Sequence, residues 1–414
     1  MMWRGATALA GAALRLAAPL SGADWRERLA LTGPEVVPGS IWLHAASVGE
    51  LTSARSLVAA LAAEARVVVT TNSTTGRALA RKLGHTAMLA PLDLPQAVRR
   101  FLDRVEPAVL VTVENELWPN RSAMAAELGV AQVVVGARIS ARSAERWAKL
   151  PRLIGPMLER IDLLSAQDAE SEARLLRLGL PEEAVGTRLN LKLLDPARVE
   201  PPADSPARAL TVLAASTHEG EDATMIDAYL AALAEVPGLR LILAPRHPVR
   251  GGAVAELLRE KGVDFRRRSE GGGLDASVLL ADTLGEMADW YAASGICITC
   301  GSFSDRGGHT PWEPAGWRCA ILHGPHVANH AADYADLDAA GASEACTAED
   351  LPRRLAALAG DARRQRRMGK GAREMLLSRA GNPQPLVARI LDLARGGLAK
   401  DPAGSDIWRE RNEK

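Results

Sequence analysis

The chain has no excess of either charge: Lys plus Arg and Asp plus Glu each number 50. Nothing therefore steers the whole molecule to nucleic acid or to an anionic surface, and any basic site has to be local. Cysteine is scarce as well. Cys297, Cys300, Cys319 and Cys346 all lie in the second half, which is no disulfide framework and favours a reducing compartment. The first pair sits in GICITCGS, which reads as a buried strand; neighbours three apart on a strand face opposite ways and do not share a metal. No Asp/His cluster asks for a divalent ion, so neither metal nor cofactor is expected. Long apolar runs are missing too. Arg15 interrupts the Ala-rich N-terminus, and no stretch reaches the roughly 18 residues of a spanning helix. A signal peptide would have a cleaner apolar centre. Residues 1–30 read either as an interfacial helix dipping Trp3, Leu9, Leu14 and Leu16 into lipid or as a helix packed on its own domain.

What is present suits a soluble protein of two domains: 414 residues, 47% hydrophobic and 24% charged. Six apolar stretches in the first half, SIWLHAAS, ARVVVTT, TAMLAPL, PAVLVTVEN, AQVVVGARI and RIDLLSAQ, alternate with helical patterns. Continuous apolar strands between helices predict α/β domains with parallel sheets covered on both faces. Pro and charge replace the periodicity over 193–209, a linker candidate. Then LTVLAAS, LRLILAP, SVLLAD, ICITCGS and CAILHGP repeat the alternation. The expected division is 1–200, 201–395 and a polar tail 396–414, with the two domains facing one another across a cleft.

Ligands of open α/β sheets collect at the carboxyl ends of the strands, so the strand-to-helix junctions matter most. In HAASVGE, Ser47 and Gly49 can offer backbone N–H groups and Glu50 complements the positive end of a helix. A helix cap and a catalytic base both fit Glu50. ENELWPN sets Glu114 and Glu116 two residues apart at another strand end, where two carboxylates buried together are unfavourable unless solvated, paired or functional. Arg138 and Ser140 follow the fifth strand, and Lys192 precedes the linker. The second half resembles an anion and nucleotide site. Ser216 and His218 stand before a helix, and Arg246 ends a strand with a guanidinium suited to phosphate. Gly285 and Glu286 open another helix. A glycine-rich loop carries Gly308 and His309, and leads to Pro311 and Glu313, the latter placed for ribose hydroxyls. The spacing fits neither GxGxxG nor a P-loop.

Taken together, HAASVGE, PLDLP, ENELWPN, ARISARS, NLK, ASTHEGE, PRHP, DTLGE, GGHTPWEP and GPHVANH resemble, in order, the motifs of the 3-deoxy-D-manno-octulosonic acid (Kdo) transferases of lipid A biosynthesis. The resemblance covers most of residues 40–330. It implies a GT-B glycosyltransferase with two Rossmann-like domains, CMP-Kdo as donor and a lipid A precursor as acceptor. It also implies peripheral attachment to the cytoplasmic face of the inner membrane. Its catalytic base falls on Glu50, and its transition-state stabilisers on Glu114 and Lys192. CMP contacts fall on Pro245 and Arg246, on Leu284, Gly285 and Glu286, and on Thr310, Pro311, Trp312 and Glu313; Asn329 lies in the last motif. On this reading the helix dipole keeps Glu50 ionised at neutral pH. Kdo has a carboxylate of its own, which Lys192 or Arg138 would hold.

The chain departs from the family pattern at Asn115, Leu189, Thr310 and Trp312, and the bulk of Trp312 would reshape the nucleotide pocket. A paralogue using another nucleotide sugar or acceptor is the alternative, followed by a non-catalytic nucleotide-binding protein of the same fold.

Overall fold

The computed structural model describes residues 7–8, 22–34, 38–114 and 116–399. Most of the candidate interfacial segment within 1–30, Asn115, and the tail from 400 onward lie outside the described residues. Runs of Val, Ile and Leu give the first six strands: β1 Ile41–His44, β2 Val67–Thr71, β3 Thr86–Leu89, β4 Val109–Val113, β5 Ala131–Ala137 and β6 Leu163–Ala166. They pair in parallel in the order β3-β2-β1-β4-β5-β6. Helices cover both faces, which is why the strands are apolar throughout rather than alternating. One face holds Ile41, Leu43, Leu51 and Leu57. The other holds Trp42, Phe101 and Leu102, with the Trp42 and Phe101 ring centroids 4.4 Å apart.

The second sheet contains β7 Thr211–Thr217, β8 Arg240–Pro245, β9 Arg266–Arg267, β10 Val278–Leu280, β11 Ile296–Thr299, β12 Ala320–His323 and β13 Ser343–Ala345. Their order is β13-β12-β11-β7-β8-β10-β9, again parallel. The two edge strands, β9 and β13, are absent from the sequence reading. They are short and polar, so they carry no apolar run to announce them. The four cysteines are free and buried. Cys297 and Cys300 pack into different clusters, as opposite faces of one strand require.

Each sheet changes winding direction once. In the first, the chain proceeds from β1 to β2 and β3, then returns to lay β4 against the other side of β1. The carboxyl ends of β1 and β4 therefore flank a crevice, the place where such sheets bind ligands. In the second sheet the equivalent neighbours are β7 and β11.

The chain divides into two compact units, one reaching Asp195 and resuming at Ala380, the other Pro196–Arg379. The boundary lies inside the 193–209 break, but the C-terminal end differs from the expected 201–395. Helix Gln384–Ala399 packs Leu386, Val387, Ile390 and Leu391 into the core of the first unit. Its amphipathic pattern announces a buried face, and the sequence does not say against which sheet. Among the described residues no helix is long and apolar enough to cross a membrane.

Candidate active site

Glu50 sits in the first turn of helix Val48–Ser53, which follows β1. Ser47 is the N-cap: its Oγ accepts from the Glu50 N–H at 3.2 Å. In return Glu50 Oε2 accepts from the Ala46 N–H at 2.7 Å, and Oε1 accepts from the Ser47 hydroxyl at 3.1 Å. Ser-Val-Gly-Glu is thus a capping box that closes one residue early. Gly49 needs no special backbone conformation here; a Cβ would meet only Ser47 Oγ, at 3.8 Å. The Glu50 carboxyl is half-buried, and its pKa is raised. Burial is the main cause, the Ala46 and Ser47 hydrogen bonds oppose it, and the charges of Glu114 and Glu116 add to it. Desolvation and like charge thus outweigh the end of a helix of 6 residues in setting the direction of this shift.

Glu114 leaves β4 with φ of 58°, a left-handed conformation that costs a non-glycine residue about 1–3 kcal/mol. Its N–H donates to Val135 O at 2.9 Å. Beside Val135, β5 bulges at Gly136, whose φ is 63°. Leu191 packs into the space that a side chain would fill there: a Cβ on Gly136 would lie 2.8 Å from Leu191 Cδ1. That contact brings the next residue, Lys192, to 4.0 Å from Glu114 Oε1. The pair joins the end of β4 to the helix Leu191–Ala197.

Glu116 accepts from the Trp118 indole N–H at 2.6 Å, and His44 Nε2 lies 3.7 Å from it. His44 and Arg121 were not singled out by sequence, although both belong to the quoted stretches or adjoin them. His44 is fully buried and held down to about 4, mainly by burial and then by Arg121. Its Nδ1 shares a hydrogen bond with Thr70 Oγ1 at 2.9 Å, while Nε2 has no hydrogen-bond partner among the described residues. Arg121 is buried, donates to the Glu116 carbonyl, and lies 5.9 Å over the Trp42 ring. The His44 imidazole, the Trp118 indole and the Arg121 guanidinium hold Glu116 well below the ordinary carboxylate range, against half-burial. PLDLP has its reason here too: Asp93 accepts from the N–H groups of Asn120 and Arg121 at 3.1 and 2.8 Å, capping helix Pro119–Glu127.

Elsewhere in this unit, Arg138 is exposed and Ser140 caps helix Ala141–Ala148 through the Ser143 N–H at 3.2 Å. The structure thus brings Ser47, Glu50, Glu114, Glu116 and Lys192 to the β1–β4 crevice.

In the second unit the expected residues gather around β7 and β11. Ser216 has φ of 59°. His218 Nε2 lies 3.1 Å from His309 Nε2, with the rings nearly parallel at 10°. His247 stands edge-on to His218. Glu221, part of ASTHEGE but not singled out there, is buried and accepts from the N–H groups of His218, Gly301 and Phe303 at 2.8, 2.8 and 3.0 Å. Gly307 and Gly308 both have positive φ, and a Cβ on Gly307 would strike the Asn329 amide at 2.6 Å. Asn329 donates to the carbonyls of Arg306 and Gly308 at 2.9 and 3.5 Å, so its side chain shapes the loop. Pro245 is buried at the end of β8 and Arg246 is exposed. Leu284 is 80% exposed beside Gly285 with φ of 89°, and Glu286 pairs with Arg268 and Thr283. Pro311 precedes helix Trp312–Gly316, and Tyr291 Oη donates to Glu313 Oε2 at 3.1 Å. The Trp312 side chain does not reshape a pocket. It is 4% exposed with the Arg379 guanidinium 5.2 Å over its ring, and Thr310 Oγ1 accepts from its N–H at 3.3 Å.

Residues 23–194 match the family model for 3-deoxy-D-manno-octulosonic-acid transferase (kdotransferase). The chain is 33% identical to the 3-deoxy-D-manno-octulosonic acid transferase of Haemophilus influenzae, covering 88% of each chain. The chain belongs to the Kdo transferase family. The Bordetella pertussis transferase is 35% identical over 86% of this chain and 87% of its own. Among solved structures, a UDP-GlcNAc 2-epimerase of Neisseria meningitidis bound to UDP-GlcNAc covers 82% of this chain and 99% of its own, with TM-score 0.52 and 11% identity. A glycosyltransferase of Rickettsia africae covers 87% and 98%, with TM-score 0.50 and 12% identity. At that identity the likeness is one of fold, the GT-B architecture. Where this Kdo transferase family member has Leu189, the side chain is buried at 1% exposure among the first-unit core, which absorbs that departure.

The Gly136–Leu191 contact yields a direct check. Gly136→Ala adds a Cβ at positive φ against Leu191 and is expected to destabilise by about 1–3 kcal/mol, read as a lower urea midpoint. Gly155→Ala, in helix Pro151–Leu158 with nothing within 4 Å, should be neutral or stabilising by about 1 kcal/mol. Equal effects of the two would contradict the packing described.

Proposed function

We propose that this protein moves Kdo from CMP-Kdo to a sugar hydroxyl of a lipid A precursor, with inversion at the anomeric carbon and Glu50 as the general base. The observation that carries this reading is the Glu50 carboxylate: half-buried, raised in pKa, and set at the winding reversal of the sheet. A carboxylate moved toward neutrality is a stronger base while still ionised. Glu50 takes the acceptor hydroxyl proton as that oxygen forms its bond to the anomeric carbon. The bond from that carbon to the phosphate oxygen breaks, and its electron pair leaves with CMP. Lys192, 4.0 Å from Glu114, supplies positive charge for the Kdo carboxylate, and Glu114 fixes where that charge sits. Oxocarbenium character in the sugar is stabilised by the negative charge of Glu114 and Glu116. In the second unit, Arg246 and the 307–313 loop hold the nucleotide, with Leu284 against its base.

For the acceptor side, helix Ala141–Ala148 supports contact with an anionic membrane surface. None of its residues is buried. Arg142, Arg146, Lys149 and Arg152 are exposed, with Leu150 at 52% exposure among them, a basic and apolar mixture suited to the headgroup region. This mixture supports a peripheral position at the cytoplasmic face of the inner membrane. Trp312 gives no reason to prefer another donor, since its ring is occupied by Arg379.

Glu50→Gln separates base from cap, because glutamine also serves at this position of a capping box. Transfer from fresh CMP-Kdo to a tetraacyl lipid A precursor should fall about 10²–10⁴-fold with CMP binding kept. Equal activity in both proteins would leave Glu50 as a cap alone.

Glu116 adds to the upward shift of Glu50 after burial and Glu114. Glu116→Gln removes a negative charge, so Glu50 stays ionised to lower pH. The acid limb of kcat/KM should move downward; an unmoved or upward limb would show that Glu50 does not set it.

A further inference from the structure

We propose that the hydrogen-bonded imidazole pair of His218 and His309 contacts the phosphate of the bound nucleotide and takes up one proton when that phosphate arrives. The proposal rests on the reading that the second unit binds the nucleotide. His218 directly follows β7, and His309 lies in the loop after β11, so the pair flanks the winding reversal of the second sheet.

The hydrogen-bond partners fix where protons sit. The Ser216 carbonyl, which can only accept, favours a hydrogen on the His309 ring, whose Nε2 faces His218 Nε2 at 3.1 Å. Nδ1 of His309 therefore carries the hydrogen, and its Nε2 offers a lone pair. His218 must then donate from Nε2. One nitrogen of the pair is left without a hydrogen, Nδ1 of His218, and that is where an added proton goes. A second N–H on His309 would break the contact, so the pair holds one extra charge. Gly301 leaves the ring faces open to this arrangement: a Cβ there would sit 3.2 Å from His309 Cδ2 and 3.4 Å from His218 Cδ2.

The charged groups acting on the pair are Arg246 and His247 after β8, Arg306 in the loop after β11, and the buried carboxylate of Glu221. Three backbone N–H groups already engage Glu221. Burial first, and the cationic neighbours after it, hold both imidazoles below their ordinary value. Without an anion the pair is therefore neutral near pH 7. A phosphate among Arg246, Arg306 and His218 reverses the local field and favours the proton. The charged pair then stays with the phosphate as it leaves carrying the electron pair of the broken bond.

The test is calorimetry with the methyl ester of CMP, a phosphodiester with no proton to exchange near neutrality. It is run on the full chain from pH 5.5 to 8.5 in buffers of differing ionisation enthalpy. The wild-type protein should take up protons on binding. Its affinity should fall as pH rises, by up to about tenfold per pH unit for one coupled proton. His218→Gln keeps an N–H for His309 but accepts no further proton, so its affinity should not change with pH. His247→Gln should keep the wild-type slope. No uptake by the wild type, equal slopes in wild type and His218→Gln, or a slope lost only in His247→Gln would each overturn the proposal. Failure of the wild type to bind the ester at any pH would instead remove the nucleotide reading beneath it. Should His218→Gln not fold, a wild-type slope kept in His247→Gln supports the proposal and one lost there overturns it.

Discussion

One backbone N–H, that of Ala46, and one hydroxyl, that of Ser47, hold the Glu50 carboxylate where the first sheet reverses its winding. The rest of the site depends on that constraint. A parallel sheet gives its crevice at this point without further design, and the first helical turn leaves N–H groups that need acceptors. A carboxylate is the natural acceptor. Having only one backbone donor and one hydroxyl, it keeps lone pairs for a proton. Capping and the proposed role as base are then two uses of one geometry.

The second unit makes the contrast. There the loop after β7 also places a glutamate near the start of a helix, and Glu221 takes a backbone N–H from His218. Two more N–H groups, from Gly301 and Phe303, complete its shell, and it is 1% exposed. Glu221 is a fastener that ties the loops after β7 and β11 together, while the imidazoles beside it are only partly buried. In the first unit the comparable crossing is made by charge: Glu50 and Glu116 meet across the crevice, one raised and the other lowered. Burial acts on both. What divides them is that Glu116 has His44, Trp118 and Arg121 beside it, while Glu50 has two carboxylates in view.

Much of this was legible along the chain, for physical reasons. A strand buried on both faces has to be apolar at every position, so eleven of the thirteen strands announce themselves; β9, Arg266–Arg267, and β13, Ser343–Ala345, lie at edges and do not. Glu50 and Ser47 are legible as a cap because the capping box is local. The raised Glu50 is not, because it depends on Glu114 and Glu116, which only the β1–β4 pairing brings near. Nor is the imidazole pair, made from residues 91 apart in sequence. Trp312 misleads in the same way: its bulk is visible in the sequence, but the Arg379 that covers it is not. The helix Gln384–Ala399 shows its apolar face and conceals its partner.

The most direct measurement is the ionisation of Glu50 itself. Carbon-13 NMR of protein labelled at the glutamate carboxyls, with the Glu50 signal assigned by its loss in Glu50→Gln, gives the titration midpoint without reference to any substrate. The account predicts a midpoint above the ordinary glutamate value of 4.5, since burial and two neighbouring carboxylates outweigh the Ala46 and Ser47 hydrogen bonds. A midpoint at or below that value would mean that the cap dominates, and Glu50 would lose its claim to be the base.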